Sequence, residues 1–138
     1  MAIKLKKGFK QLLDEANAVI ETIPTKDALA LVDDPGVTLI DLRDIRELWR
    51  EGKIPGAVHA PRGMLEFWVD PESPYHRDVF ASGKKFVLYC QSGWRSALAA
   101  KELQTMGFGP VAHVAGGYHA WKDAGGPTEA VEQKPPKS

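Results

Sequence analysis

Lys85-Phe86-Val87-Leu88-Tyr89-Cys90-Gln91-Ser92-Gly93-Trp94-Arg95-Ser96 runs from a continuous apolar stretch, through a short polar one, into an alanine-rich amphipathic segment. Lys85 to Tyr89 reads as a buried strand. Arg95 to Met106 reads as a helix with Leu98, Leu103 and Met106 on its apolar stripe. Cys90, the one cysteine in the chain, stands at the join. A thiol between strand end and helix start meets main-chain N–H groups, the positive helix end and the Arg95 guanidinium, all of which favour thiolate over thiol. Gly93 permits a close backbone approach that a Cβ would obstruct. The amides of Gln91, Ser92, Gly93, Trp94 and Arg95 can then form a nest around a group on the sulfur, with the Ser92 and Ser96 hydroxyls at its rim. The plainer reading, a buried cysteine that merely ends a strand, is outweighed by the Gly, the Arg and the strand–loop–helix setting together. A thiol turned into the core with the N–H groups aimed elsewhere would defeat this reading.

Outward from that loop the same alternation recurs. Phe9, Leu12, Leu13, Ala16, Val19 and Ile20 follow helical spacing, which predicts a helix from about Lys7 to Glu21 that ends before Ile23-Pro24. Thr25 is placed to cap a short helix over Lys26 to Val32, stopped by Asp33-Asp34-Pro35-Gly36. Val37 to Leu42 is a second near-continuous apolar strand, as expected where both faces of a sheet are covered. Asp44 and Glu47 form a capping arrangement that opens a helix through Arg50, and Gly52 ends it. A short strand spans Ala57 to Ala60. After the cysteine helix come a strand from Val111 to Val114, Gly116-Gly117, and a last helix with Tyr118, Ala120 and Trp121. Strands alternating with helices predict an α/β domain with a mostly parallel sheet. The stretch after Gly125 carries Pro127, Pro135 and Pro136 with little apolar content, and reads as unstructured.

The chain has 138 residues, enough to bury a core in one domain, with 43% hydrophobic and 26% charged residues. Eighteen basic residues balance eighteen acidic ones, so no global field favours nucleic acid or an anionic membrane as partner. The local excess at Lys4, Lys6, Lys7 and Lys10 reads as a solvated helix face. A single cysteine rules out an intramolecular disulfide and a multi-cysteine metal site. No secretory signal or bilayer-length apolar run is legible, so a cytoplasmic location, where a thiol stays reduced, is expected. No metal or cofactor is expected.

Three segments together resemble the single-domain rhodaneses, which are sulfurtransferases. They are Asp41-Leu42-Arg43-Asp44 with Glu47 and Gly52-Lys53-Ile54-Pro55-Gly56-Ala57; the loop Cys90-Gln91-Ser92-Gly93-Trp94-Arg95-Ser96; and Val114-Ala115-Gly116-Gly117 with Trp121. The resemblance implies a three-layer α/β/α fold with a five-stranded, mostly parallel central sheet over residues 25–125, leaving 1–24 as a helical extension and 126–138 as a tail. It implies that Cys90 takes sulfane sulfur from thiosulfate or a related small donor and holds it as a persulfide. The sulfur then passes to cyanide or to a low-molecular-weight or protein thiol. In that frame loop amides stabilise the persulfide, Arg95 holds the anionic donor and the loop, and Asp41 and Arg43 organise the site. An Arg43–Glu47 ion pair is expected.

Two rivals follow from the same residues. Cysteine phosphatases and arsenate reductases surround a tetrahedral oxyanion with five residues between Cys and Arg; here there are four, which suits a single sulfur atom better. A non-catalytic binding or regulatory module of the same fold is the other. Among the histidines, His59 and His113 read as core or rim residues, and His76 and His119 as surface ones. Trp94 either faces the pocket mouth or packs against Met64, Phe67 or Trp68. Arg62 and Arg77, flanking a segment outside the motifs, are candidates to attract an anionic donor. The N-terminal helix is expected to pack on the sheet edge or on a second subunit.

Overall fold

In the computed structural model, residues 2–133 are described. The elements in chain order are α1 (Phe9–Val19), β1 (Glu21–Ile23), α2 (Thr25–Ala28), β2 (Val37–Asp41), α3 (Ile45–Glu51), β3 (Val58–His59), α4 (Leu65–Val69), β4 (Lys85–Tyr89), α5 (Trp94–Thr105), β5 (Val111–Val114) and α6 (Gly117–Asp123). Short 3-10 turns occupy Leu29–Asp33, Arg62–Met64 and Asp78–Ala81. The strands form a five-stranded sheet in the order β1-β5-β4-β2-β3, with every neighbouring pair parallel. This is the expected α/β/α architecture.

Side chains alternate across the sheet. Ile40, Leu42, Phe86, Leu88 and Cys90 join Ala97, Ala100 and Leu103 of α5 and Ala16 of α1 in one core. Leu39, Val87, Tyr89, Ala112 and Val114 face the other way, onto Ala28, Tyr118 and Trp121. With both faces covered, no strand position in the centre of the sheet is left for a solvated residue, which is why β4 reads as an unbroken apolar run. The alternation also places Cys90 on the α5 face and Asp41 on the α6 face.

Several local expectations are corrected. The first helix ends at Val19 because Ile20 turns extended, and Glu21–Ile23 becomes an edge strand beside β5. Of the predicted stripe, Ala16 and Ile20 are buried, whereas Phe9, Leu12 and Val19 are exposed, since α1 touches the molecule chiefly along α5. Pro24 rather than Thr25 holds the cap position of α2, and the Thr25 hydroxyl instead donates to Ala115 O at 3.1 Å. That helix is short and tightens into the 3-10 turn Leu29–Asp33. On α5, small residues (Ser96, Ala97, Ala99, Ala100) are buried with Leu103, and Met106 is exposed. The helix lies between sheet and α1, so small side chains let the backbones approach.

The start of the segment expected to lack structure is tied down. Trp121 Nε1 donates to Pro127 O at 2.8 Å, and Lys53 and Glu129 exchange two main-chain hydrogen bonds of 2.9 and 2.8 Å. Trp121 itself is fully buried. Residues 134–138 of that segment lie outside the described residues. No helix among the described residues is long and apolar enough to cross a membrane.

Candidate active site

Gly93, at φ 97°, carries the chain from the end of β4 into α5 and occupies the cap position of that helix. The turn folds the Cys90 side chain back under the first turn of α5. Its Sγ accepts the Gly93 N–H at 3.2 Å and the Ser96 N–H at 3.4 Å. The sulfur therefore does what an N-cap oxygen does, meeting N–H groups that have no partner within the helix. Negative charge on it lies at the positive end of a twelve-residue helix. The Gly93 amide belongs to the set expected to surround a group on the sulfur. The other donor, Ser96, lies one residue beyond the expected range, and the amides of Gln91, Ser92, Trp94 and Arg95 are not partners of the sulfur. The thiol is only 1% exposed, so it is buried and yet the N–H groups converge on it.

The outside of the loop is held by α6. Tyr118 N donates to Cys90 O at 2.8 Å and His119 N to Gln91 O at 3.0 Å. With those two carbonyls bound outward, neighbouring amides are free to face the sulfur. Gly117 makes this approach feasible: a Cβ there would overlap the Cys90 carbonyl and stand 2.7 Å from the Gln91 carbonyl carbon.

Below the loop on the α6 side lies a buried ion pair. Arg43 Nη2 meets Asp41 Oδ2 at 2.7 Å, with both side chains fully buried. The same guanidinium donates to Gly52 O at 2.7 Å and to Gln91 Oε1 at 3.3 Å, and lies 4.1 Å from the Tyr118 ring centroid. Gln91 in turn donates to Glu51 Oε1 at 3.3 Å. Asp41 and Arg43 thus sit together beneath the loop, where Arg43 grips Gln91; neither is among the hydrogen-bond partners of the sulfur.

The expected Arg43–Glu47 pair is not formed. Glu47 accepts both Arg95 Nη1 at 2.7 Å and Nη2 at 3.0 Å, and also the Asp44 N–H at 3.1 Å in the capping box of α3. Arg43 is drawn instead to the carboxylate two residues away on its own strand end. The Arg95 guanidinium lowers the Glu47 carboxyl below its ordinary value, and the Glu47 carboxylate raises Arg95, with a smaller share from Cys90. Arg95 is therefore fixed and charge-compensated rather than free.

Ser92 lines a cavity behind the loop. Trp94 is 56% exposed, and its ring stacks at a tilt on Phe9 of α1 with centroids 5.1 Å apart, rather than on Met64, Phe67 or Trp68. Arg62 pairs with Glu66 at 2.7 Å, and Arg77 stacks 3.9 Å from the Trp68 ring centroid, so both arginines serve their own segment.

Sequence reasoning set the Ser96 hydroxyl at the rim of the nest and missed that it belongs to a line of groups behind the sulfur. Ser96 Oγ lies 3.6 Å from Cys90 Sγ and 2.9 Å from His113 Nδ1, and His113 Nε2 lies 3.2 Å from Thr22 Oγ1. Burial lowers the His113 imidazole to about 4, which leaves it neutral at pH 7. No sequence spacing joins Thr22, Cys90, Ser96 and His113; the pairing of β1, β5 and β4 does.

A family model described as Rhodanese-like domain matches residues 24–124. A sulfurtransferase of Allochromatium vinosum is 36% identical over 102 residues, spanning 74% of this chain and 87% of the relative. A solved structure from Rhodopseudomonas palustris, of a protein described as of unknown function and a possible tyrosine phosphatase, is 55% identical with a TM-score of 0.90, over 94% of this chain and 99% of that one. The polysulfide-sulfur transferase homodimer of Wolinella succinogenes is 31% identical with a TM-score of 0.67, over 89% and 88% of the two chains.

Proposed function

The chain belongs to the rhodanese-like domain family, and on that premise we propose that it is a sulfurtransferase carrying sulfane sulfur as a persulfide on Cys90. The observation that carries this reading is the pair of main-chain N–H groups, from Gly93 and Ser96, that converge on Sγ. The Cys90 thiolate attacks the outer sulfur of a donor such as thiosulfate; an S–S bond forms, and the electron pair of the broken bond leaves with sulfite. A nucleophilic acceptor, cyanide or a thiol, then attacks the outer sulfur, and the pair returns to Cys90. Dividing the transfer into two displacements at one atom gives ping-pong kinetics. Fixed N–H dipoles at the sulfur stabilise anionic thiolate and persulfide without reorganising.

Asp41, Arg43 and Gln91 keep the loop in shape from below, and Arg95, pinned by Glu47, holds it from the side. Because Arg95 is compensated, donor recognition rests less on its free charge than on the amides. Polysulfide and persulfidated thiols therefore belong in a donor panel beside thiosulfate. Cys90→Ser is expected to abolish sulfur transfer with the fold intact, and mass spectrometry should find the added sulfur on Cys90 alone. Substantial residual turnover in the folded variant overturns the assignment.

The description of the Rhodopseudomonas palustris protein favours a second reading, a phosphatase. The sulfur is 1% exposed and four residues separate Cys90 from Arg95, so the loop leaves a tetrahedral oxyanion less room than a single sulfur atom. Hydrolysis of an aryl phosphate by the protein, lost in Cys90→Ser, would restore that alternative.

A further inference from the structure

A buried thiol can ionise only if its proton has somewhere to go. Main-chain N–H groups are donors and cannot take it. Among the described residues, the one acceptor within hydrogen-bond distance of Cys90 Sγ is Ser96 Oγ, at 3.6 Å. Ser96 Oγ lies 2.9 Å from His113 Nδ1, and His113 Nε2 lies 3.2 Å from Thr22 Oγ1. Ser96 and His113 are buried, whereas Thr22 is exposed on the edge strand β1. Thr22 and His113 also line a cavity of about 350 Å3 beneath α1, together with Leu13, Asn17 and Gly93. The parallel register sets Thr22 directly beside His113, and His113 beside Leu88, two residues before the cysteine.

We propose that Ser96, His113 and Thr22 form a proton wire that carries the Cys90 thiol proton to the cavity beneath α1, with His113 as the positioning residue that switches tautomer. The step balances. The S–H bond breaks and its proton goes to Ser96 Oγ, while the proton that Ser96 held goes to Nδ1. The Nε2 proton passes to Thr22 Oγ1, and Thr22 gives its own to water in the cavity. One proton reaches solvent, the imidazole stays neutral, and the sulfur keeps the electron pair. After the switch every hydrogen bond points back toward the thiolate: Thr22 donates to Nε2, Nδ1 to Ser96, and Ser96 to Sγ. A neutral His113 suits this, since a cation there would have no lone pair to offer. The groups that face His113 are Thr22 from β1, Ser96 from α5, the thiol beyond β4 and, lining the same cavity from α1, Asp14. Thr22 precedes the segment 24–124 that the family model matches, so the outlet belongs to the N-terminal extension of this chain.

The inference rests on Cys90 being the reactive thiol, and its test uses a chemistry other than sulfur transfer. In the full chain, Cys90 is the one cysteine, so iodoacetamide alkylation reports on it alone. His113→Asn keeps a hydrogen-bonding group near Ser96, but an amide cannot pass a proton through itself. Thr22→Val puts a methyl where the hydroxyl stood. Each breaks the chain of hydrogen bonds that points back toward the thiolate, so each is expected to slow alkylation at pH 7 about fivefold, the worth of one net hydrogen bond, and to move the pH profile upward. The double variant is expected to do no more than either single one. Either folded single variant retaining the original profile, or effects that multiply in the double variant, overturns the wire. Should His113→Asn fail to fold, Thr22→Val on the exposed edge decides alone. Profiles that shift as expected, with no sulfur mass added to Cys90 by thiosulfate or polysulfide, would uphold the wire and overturn the sulfur-carrier reading.

Discussion

Asp41 and Arg43 occupy positions that a sheet end normally gives to apolar side chains, and both are fully buried. Two desolvated charges persist there because each is satisfied several times over. Arg43 holds both Asp41 oxygens, Gly52 O and Gln91 Oε1, and Asp41 also accepts the Arg43 main-chain N–H at 3.0 Å. Such a pair contributes little net stability, yet removal of one partner leaves a buried charge with no compensation. Arg43→Met is therefore expected to cost about 3–5 kcal/mol in urea unfolding. Adding Asp41→Asn should recover part of that loss, and a double variant no more stable than Arg43→Met would show that the charge is not the cause. The pair is half legible in the sequence: both residues stand out, but their spacing points Arg43 to Glu47. Glu47 is the nearer guess along a helix, whereas the strand end turns Arg43 back on Asp41 and leaves Glu47 to Arg95, 48 residues away.

At the level of elements, the decisive contact is the N-terminus of α6 on the outside of the cysteine loop. Gly117, at φ 62°, lies in the left-handed region and also against the Cys90 carbonyl. Gly56, at φ 78°, has the same kind of backbone with open space around it. Gly56→Ala is expected to cost about 1–2 kcal/mol from backbone strain alone. Gly117→Ala adds a clash with main chain that cannot move aside cheaply, so its midpoint of thermal unfolding should fall further. It should also change Cys90 alkylation, because α6 can relieve the clash only by moving off the loop. Equal melting shifts with unchanged alkylation would mean that α6 does not shape the loop. The pair Gly116-Gly117 was visible in the sequence as part of the third motif. What it touches was not, because the loop and α6 belong to separate stretches of chain.

For the molecule as a whole, the sheet's covered faces bring a histidine into the core at β5. His113 falls to about 4 when folded, against an ordinary 6.5, because burial disfavours its cation. Below pH 6.5 the unfolded chain takes up a proton that the folded one refuses until about 4, so this group's contribution to stability is complete above 6.5 and is lost as pH falls through that window. The loss amounts to about 3 kcal/mol at most. Urea midpoints followed from pH 7 to pH 4 should drop more steeply for the unsubstituted protein than for His113→Asn. Parallel slopes would show that His113 charges freely in the fold.

Local pattern along the chain suffices for the alternation of strands and helices, the three-layer class and the loop that holds Cys90. A parallel sheet covered on both sides writes itself as continuous apolar runs, and a cysteine, a glycine and a helix start within seven residues are a local pattern. It took the folded chain to show that a three-residue edge strand carries Thr22 to His113, that Glu47 takes Arg95, and that the N–H groups of Gly93 and Ser96 are the ones bonded to the sulfur. Those outcomes depend on which distant segments lie side by side and on how a loop is clamped from outside. Hydrophobic periodicity reports burial along one segment and carries no term for its neighbours.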